Sequence, residues 1–369
     1  MNNIQKNLLD KSYQIADTIL REHVPIISNG WHYDAALTLL GIGALYEKNH
    51  SKKYFDYIKQ SIDSLITDDG TIKTYNEKAF NIDYINPGNT CFWLYDATGE
   101  EKYLKVIQLL KNQLDNQPRT QSGCYYHKLI YPNQVWLDGI YMAEPFHAQY
   151  ISRFSKDKDF SGIVGQIQTA LNLTYEPKNG LYVHACDESR EVFWADKFTG
   201  RSKNVWGRAC GWLCMAVVDV LDFISDNSDK ATLIEILNLL LDSIIKFQDD
   251  CGVWYQVLDS RHCDNYKEST CTCMFAYTIN KAIMKGYISS EKYSPCLEKA
   301  LSGILDLFIS EEDGNTYLTN CCSVAGLGPH DNLRRDGTLE YYFSEPITKN
   351  DFKGVGPLLK LAANPCTIG

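Results

Sequence analysis

Two aspartates stand among neighbours that would change their chemistry. Asp138 lies in Gln134-Val135-Trp136-Leu137-Asp138-Gly139-Ile140-Tyr141-Met142-Ala143-Glu144-Pro145-Phe146, an otherwise apolar and aromatic stretch at an expected helix start. A carboxylate there can simply interact with the positive end of the helix dipole. Walled by Trp136, Tyr141 and Met142, it would instead have its pKa raised by desolvation, as a general acid working near neutral pH requires. Asp83, in Asn81-Ile82-Asp83-Tyr84-Ile85-Asn86-Pro87-Gly88, sits in a turn before another helix. Turns favour Asp for local hydrogen bonding, so the position alone does not separate structure from catalysis.

The cations sit in aromatic company too. In Asn204-Val205-Trp206-Gly207-Arg208-Ala209-Cys210-Gly211-Trp212, Arg208 and Trp212 are four apart and share a helix face. An Arg flanked by rings can grip a carboxylate bidentately while the rings hold a sugar. It can also stack on Trp for packing alone. His127-Lys128 follows Tyr125-Tyr126, and His184 follows Tyr182-Val183; each His is open to a structural or a catalytic reading. Cys271-x-Cys273 and Cys321-Cys322 lack the second CxxC or nearby HxxxH of a familiar zinc set, so no metal is expected.

These groups need elements to position them, and helical periodicity dominates the chain. Apolar stripes at 3-4 spacing predict helices near 4–22, 32–47, 52–66, 89–97, 101–115, 136–155, 159–174, 205–224, 231–247, 270–285, 291–309 and 354–363. Thr98-Gly99-Glu100-Glu101 reads as a capping box, and Asp226-Asn227-Ser228-Asp229 as a helix start. Between the helices lie short strand-like pieces such as Gly180–Val183 and Gly252–Tyr255, with no linker, charge run or low-complexity tract. Twelve helices over 369 residues fit six helical hairpins in a ring, an all-α (α/α)6 barrel forming one domain over 1–369. A plain α-solenoid is the alternative, but these loops are longer and richer in Trp, Tyr and His than solenoid turns need. Gathered at one end of a ring, they would line a pocket.

Composition narrows the partners. With 46 acidic against 36 basic side chains the net charge is −10, which argues against nucleic acid or an anionic membrane as partner. The 24 Tyr, 14 Phe and 7 Trp suit cores and sugar rings alike. The opening MNNIQKNLLD has no signal-peptide pattern, and no uncharged apolar run reaches transmembrane length. An odd total of 13 Cys then predicts reduced thiols in a cytoplasmic protein.

The strings WLDGIYMAEPF (136–146), WGRACGW (206–212), CTCMFAYTINKAI (271–283) and EYYFSEPITKNDFKGVGP (340–357) resemble the unsaturated rhamnogalacturonyl hydrolases of glycoside hydrolase family 105, over nearly the whole chain. That family is an (α/α)6 barrel which removes the 4,5-unsaturated uronic acid that pectin lyases leave at the non-reducing end of oligosaccharides. The resemblance implies Asp138 as general acid/base and Asp83 as a second active-site aspartate. It places His184, Trp206, Arg208, Trp212, His127, Lys128, Tyr33 and Met142 around the substrate. The Trp31–Ala36 stretch lacks the polar residue and glycine common after the family's W-x-Y, and Cys271 and Cys273 replace small residues.

The implied chemistry is hydration of the enol ether C4=C5 rather than the two-carboxylate cleavage of an ordinary glycosidase. It requires neither metal nor organic cofactor. The expected partner is a small oligosaccharide carrying an unsaturated uronate, and the protein is expected to be a monomer or weak homo-oligomer. The alternative substrate is a glycosaminoglycan or other polyuronide fragment, cleaved as by an unsaturated glucuronyl hydrolase. Rivals from other classes are a sugar 2-epimerase with paired His bases, a zinc peptide cyclase with a Cys-Cys-His set, and a non-catalytic carbohydrate binder.

Overall fold

The computed structural model of the chain describes residues 1–27, 30–225 and 227–367. Each expected helix is present: α1 (Asn3–Glu22), α2 (Tyr33–Asn49), α3 (Lys52–Asp63), α4 (Gly88–Thr98), α5 (Glu101–Asp115), α6 (Leu137–Phe154), α7 (Ser161–Thr174), α8 (Gly207–Val220), α9 (Ser228–Ile244), α10 (Ser269–Met284) and α11 (Ser290–Leu307) lead to α13 (Phe352–Ala363). A short α12 (Leu339–Ser344) is additional. Its six residues are too few to show a 3.6-residue period.

Two classes of helix build two layers. On α1, α3 and α5 the buried residues recur at 3-4 spacing and the other face is wet, as expected of an outer layer. By contrast α8 is buried along its whole length, and α10 from Ser269 to Ala282. Helices apolar all round must be enclosed on every side. Around the inner ring α2 packs on α4, α4 on α6, α6 on α8, α8 on α10, α10 on α13 and α13 back on α2. The outer helices α1, α3, α5, α7, α9 and α11 pack against α13, α2, α4, α6, α8 and α10. The fold is an (α/α)6 barrel.

The seam between α2 and α13 closes through glycines. A Cβ at Gly356 would stand 2.5 Å from Leu37 Cγ, and one at Gly41 2.8 Å from the Gly356 carbonyl oxygen. Gly356→Ala is therefore expected to lower stability by about 1–3 kcal/mol through overpacking. That exceeds the ~1 kcal/mol that Ala gains over Gly in helix propensity. A reduced thermal midpoint would show it; an unchanged midpoint would mean that the seam yields.

The loops carry four two-stranded ribbons. They pair β1 (Gln134–Trp136) with β4 (Ala185–Asp187), β2 (Tyr175–Glu176) with β3 (Leu181–Tyr182), β5 (Ile309–Glu312) with β6 (Asn315–Leu318), and β7 (Cys321–Cys322) with β8 (Ile347–Thr348). Thr98 does not open a capping box: it ends α4, Gly99 follows in the left-handed region at φ 69°, and Glu100 is the N-cap of α5 without a side-chain bond. Two residues leave no room for both a helix exit and a boxed entry. The Asn227 start holds, its Oδ1 accepting from the Lys230 N–H; Asp226 lies outside the described residues. No helix among the described residues is long and apolar enough to cross a membrane. All thirteen thiols are unpaired, and eleven are buried, where they act as small hydrophobes.

Candidate active site

Asp138 is in the first turn of α6, directly after β1. The β1–β4 ribbon sets its surroundings. Trp136 pairs with Ala185, and the Leu137 N–H donates to the His184 carbonyl at 3.2 Å, so the segment bearing His184 lies beside the helix start. His184 Nε2 stands 3.3 Å from Asp138 Oδ2, and its Nδ1 is 2.8 Å from the Tyr342 hydroxyl on α12. His184 and Tyr342 are fully buried, while the Asp138 side chain keeps 14% of its surface.

Asp83 sits in a single 3-10 turn before α4 and is buried. The Ile82 N–H donates to the His127 carbonyl at 3.0 Å, which joins the turn to the loop bearing the cations. His127 Nε2 is 3.1 Å from Asp83 Oδ1, and Lys128 Nζ is 2.8 Å from Oδ2. Burial pushes the Asp83 carboxyl up, but Lys128 and His127 outweigh it and hold the group well below the usual carboxylate range. Asp83 therefore stays ionised at neutral and mildly acidic pH and cannot donate a proton there.

A chain of rings joins the two carboxylates. His127 stacks on Trp136 with centroids 5.1 Å apart, and Trp136 meets His184 edge-on at 5.2 Å. His184 also contacts Trp206 at 4.6 Å, and the Trp206 ring lies under Arg208 at 5.2 Å. Gln256 fixes Trp206 by accepting from its indole N–H at 3.1 Å. Farther along, Trp212 meets Tyr33 edge-on at 5.9 Å. Tyr33 marks the convergence: Asp83, Asp138 and Arg208 all act on its hydroxyl, whose pKa burial and the carboxylates raise. Met142, one helical turn beyond Asp138, is buried.

Arg208, 1% exposed, is held on one side only. Its Nη2 donates to the Cys322 carbonyl, and Glu268 Oε1 stands 3.9 Å away. Nε and Nη1 have no protein partner. Glu268 is itself fully buried and accepts from the Cys271 and Cys322 N–H groups at 2.7 and 2.8 Å. It thereby caps α10 and fixes the strand whose carbonyl holds the guanidinium. Packing on Trp206 and readiness for an anion are thus both features of Arg208.

One expected wall residue is elsewhere. Tyr141 stacks on Trp212 at 4.9 Å and turns its hydroxyl to Asp219, away from Asp138. Three residues along α6 advance about 4.5 Å along the helix axis, which sets Tyr141 deeper in the barrel than Asp138. Tyr342, Glu268 and Gln256 were not singled out from the sequence. Tyr342 lies in the quoted string EYYFSEP, but nothing local signals its bond to His184, 158 residues away. Among the described residues, three metal-ligating side chains come together at His262, Cys263 and Asp264, all exposed. The Cys271 and Cys321 thiols lie within reach of backbone carbonyls at 3.5–3.8 Å.

The family model described as Glycosyl Hydrolase Family 88 matches residues 12–366. The chain belongs to this family. A structure of the C. acetobutylicum ATCC 824 glycoside hydrolase from family 105 superposes with a TM-score of 0.92 at 39% identity, covering 96% of this chain and 98% of that one. This places the family 88 chain in the family 105 group and makes it a glycoside hydrolase. Protein Atu3128 of Agrobacterium fabrum is 40% identical over 223 residues, 59% of this chain and 95% of the relative. The unsaturated rhamnogalacturonyl hydrolase YesR of Bacillus subtilis is 25% identical over 292 residues, 77% of each.

Proposed function

We propose that this glycoside hydrolase removes a 4,5-unsaturated uronic acid from the non-reducing end of lyase-generated rhamnogalacturonan oligosaccharides. One observation carries the reading: a buried Arg208 with Nε and Nη1 unpartnered and two carboxylates, Asp138 and the ionised Asp83, all act on the Tyr33 hydroxyl. An ordinary glycosidase needs its second, ionised carboxylate free as base or nucleophile. Both Asp83 oxygens are engaged by His127 and Lys128, at 3.1 and 2.8 Å, which leaves one proton-transfer carboxylate and suits hydration of an enol ether.

In this reading Arg208 takes the uronate carboxylate through its unpartnered N–H donors. Protonated Asp138 delivers its proton to C4, and positive charge develops at C5 and the ring oxygen. Water adds at C5 and gives its proton to the Asp138 carboxylate, so one group serves both halves. The resulting hemiketal opens, releasing a 5-keto-4-deoxyuronate and the shortened sugar. Asp83, ionised throughout, stabilises the cationic transition state and holds sugar hydroxyls. The Tyr342 hydroxyl, 2.8 Å from His184 Nδ1, fixes the imidazole whose Nε2 stands beside Asp138. Trp206, Trp212, Tyr33 and Met142 supply apolar faces for the ring, and His127 and Lys128 set the charge of Asp83.

The deciding measurement is loss of the conjugated ultraviolet absorbance with two substrates, a rhamnogalacturonan disaccharide and a chondroitin disaccharide. The rhamnogalacturonan product is expected to react at least about tenfold faster in kcat/KM, a ~1.4 kcal/mol preference. The reverse order would make the protein an unsaturated glucuronyl hydrolase. No turnover of either would reject the uronate reading.

A further inference from the structure

A cavity of about 520 Å³ opens at the end of the barrel opposite Asp138. All six inner helices contribute to it, through residues such as Glu47, Trp93, Gln149, Asp219, Tyr277 and Lys360. It descends to Tyr141, whose ring stacks on Trp212, so that this pair is shared by the two ends. None of its charged groups takes part in the chemistry proposed above.

Its deep part holds the buried Asp219 and Lys281 and the half-buried Lys360, with Asp222 and Lys285 exposed beside them. Asp219 and Asp222 face Lys281, Lys285 and Lys360. Three ammonium groups thus share two carboxylates. The second acid–base pair, Arg153 with Asp96, is closed on itself by two bonds of 2.5 and 2.7 Å, and Glu47 at the mouth accepts from the Trp93 indole. The lysines are not equivalent. Lys281 is saturated, with Asp219 and Asp222 at 2.6 Å and the Tyr277 hydroxyl at 3.3 Å. Lys360 has one acidic partner, Asp219 Oδ2 at 2.9 Å, and lies over the Tyr277 ring at 4.6 Å. Burial, reinforced by the nearby Lys281, lowers its pKa despite Asp219, which marks an ammonium short of compensating charge.

We infer that this cavity is a second ligand site, which takes a small sugar acid with its carboxylate on Lys360. A ligand carboxylate placed there gives Lys360 the second acidic partner that it lacks. The volume falls in the range of small-ligand sites and far exceeds an inorganic ion. Trp93 and Phe223 also line the cavity, aromatic side chains of the kind that pack on a pyranose.

The test is equilibrium binding of D-galacturonate to the whole protein, comparing wild type with Lys360→Met. One equivalent is expected to disappear in the variant, or to weaken at least about tenfold, while kcat/KM of the hydrolase stays unchanged. Lys360→Arg is expected to restore it. Should Lys360→Met fail to fold, Lys360→Gln, which keeps a donor to Asp219, gives the same reading. Acetate, lacking the ring, and methyl galactoside, lacking the charge, are each expected to bind this site at least about tenfold more weakly. Equal binding by either overturns the sugar-acid assignment. A galacturonate stoichiometry and affinity untouched in every Lys360 variant overturns the site. Because Arg208 is intact in these variants, loss of the Lys360 equivalent is separable from any failure at the catalytic end.

Discussion

Asp138→Asn is expected to fold normally and to lose roughly 10²–10⁴-fold in kcat, the range that one positioned acid/base group contributes. Asn keeps the shape beside His184 Nε2, 3.3 Å away in the native protein, but cannot exchange a proton. Asp83 cannot substitute for it, because Lys128 and His127 keep that carboxyl ionised. Binding should survive, since the proposed carboxylate grip is on α8 rather than α6. KM should therefore change far less than kcat. Isotopes separate the mechanism from the residue assignment. With wild-type enzyme, turnover in H₂¹⁸O should label C5 of the keto product, and D₂O should place deuterium at C4. Label at the anomeric carbon without deuterium at C4 would sink the hydration step even if Asp138 proved essential. A variant with a near wild-type rate would sink the acid assignment instead.

Arg208→Lys is expected to act chiefly on KM, raising it by about 10- to 100-fold. That corresponds to losing a charge-assisted hydrogen bond of about 1.5–3 kcal/mol. Lysine retains the positive charge that the buried Glu268 faces, so the fold should tolerate it. What it lacks is the planar guanidinium, whose Nε and Nη1 are unpartnered while Nη2 is tied to Cys322. Arg208→Met would be a poorer test, because removing one partner of a buried charge pair costs about 3–5 kcal/mol and confounds affinity with stability. Steady-state kinetics on the unsaturated disaccharide, beside a thermal melt, distinguishes the two effects. An unchanged KM at full activity would return Arg208 to packing on Trp206.

The sequence by itself determined the layout of this protein. Helix positions were legible because each helix carries an apolar stripe at 3-4 spacing, a pattern local to about 10–20 residues. Asp138, Arg208 and the paired tryptophans of 206–212 were legible because polar groups inside apolar stretches need a reason. Boundaries shared between helices were less so, as at Thr98, where one residue could serve the helix before it or the helix after.

Tertiary structure alone decided which charges meet. Asp83 became a locked anion through His127 and Lys128, 44 and 45 residues away. Glu268 became the support of Arg208 through Cys322, and Tyr342 the partner of His184, across gaps of 54 and 158 residues. Tyr141 turns to Asp219 because the rise of α6 sets it deeper in the barrel than Asp138. The reason is physical: a burial stripe is written in spacing along one helix. The sign and strength of a site depend on distances between helices, which exist only once the ring closes at the Gly41–Gly356 seam.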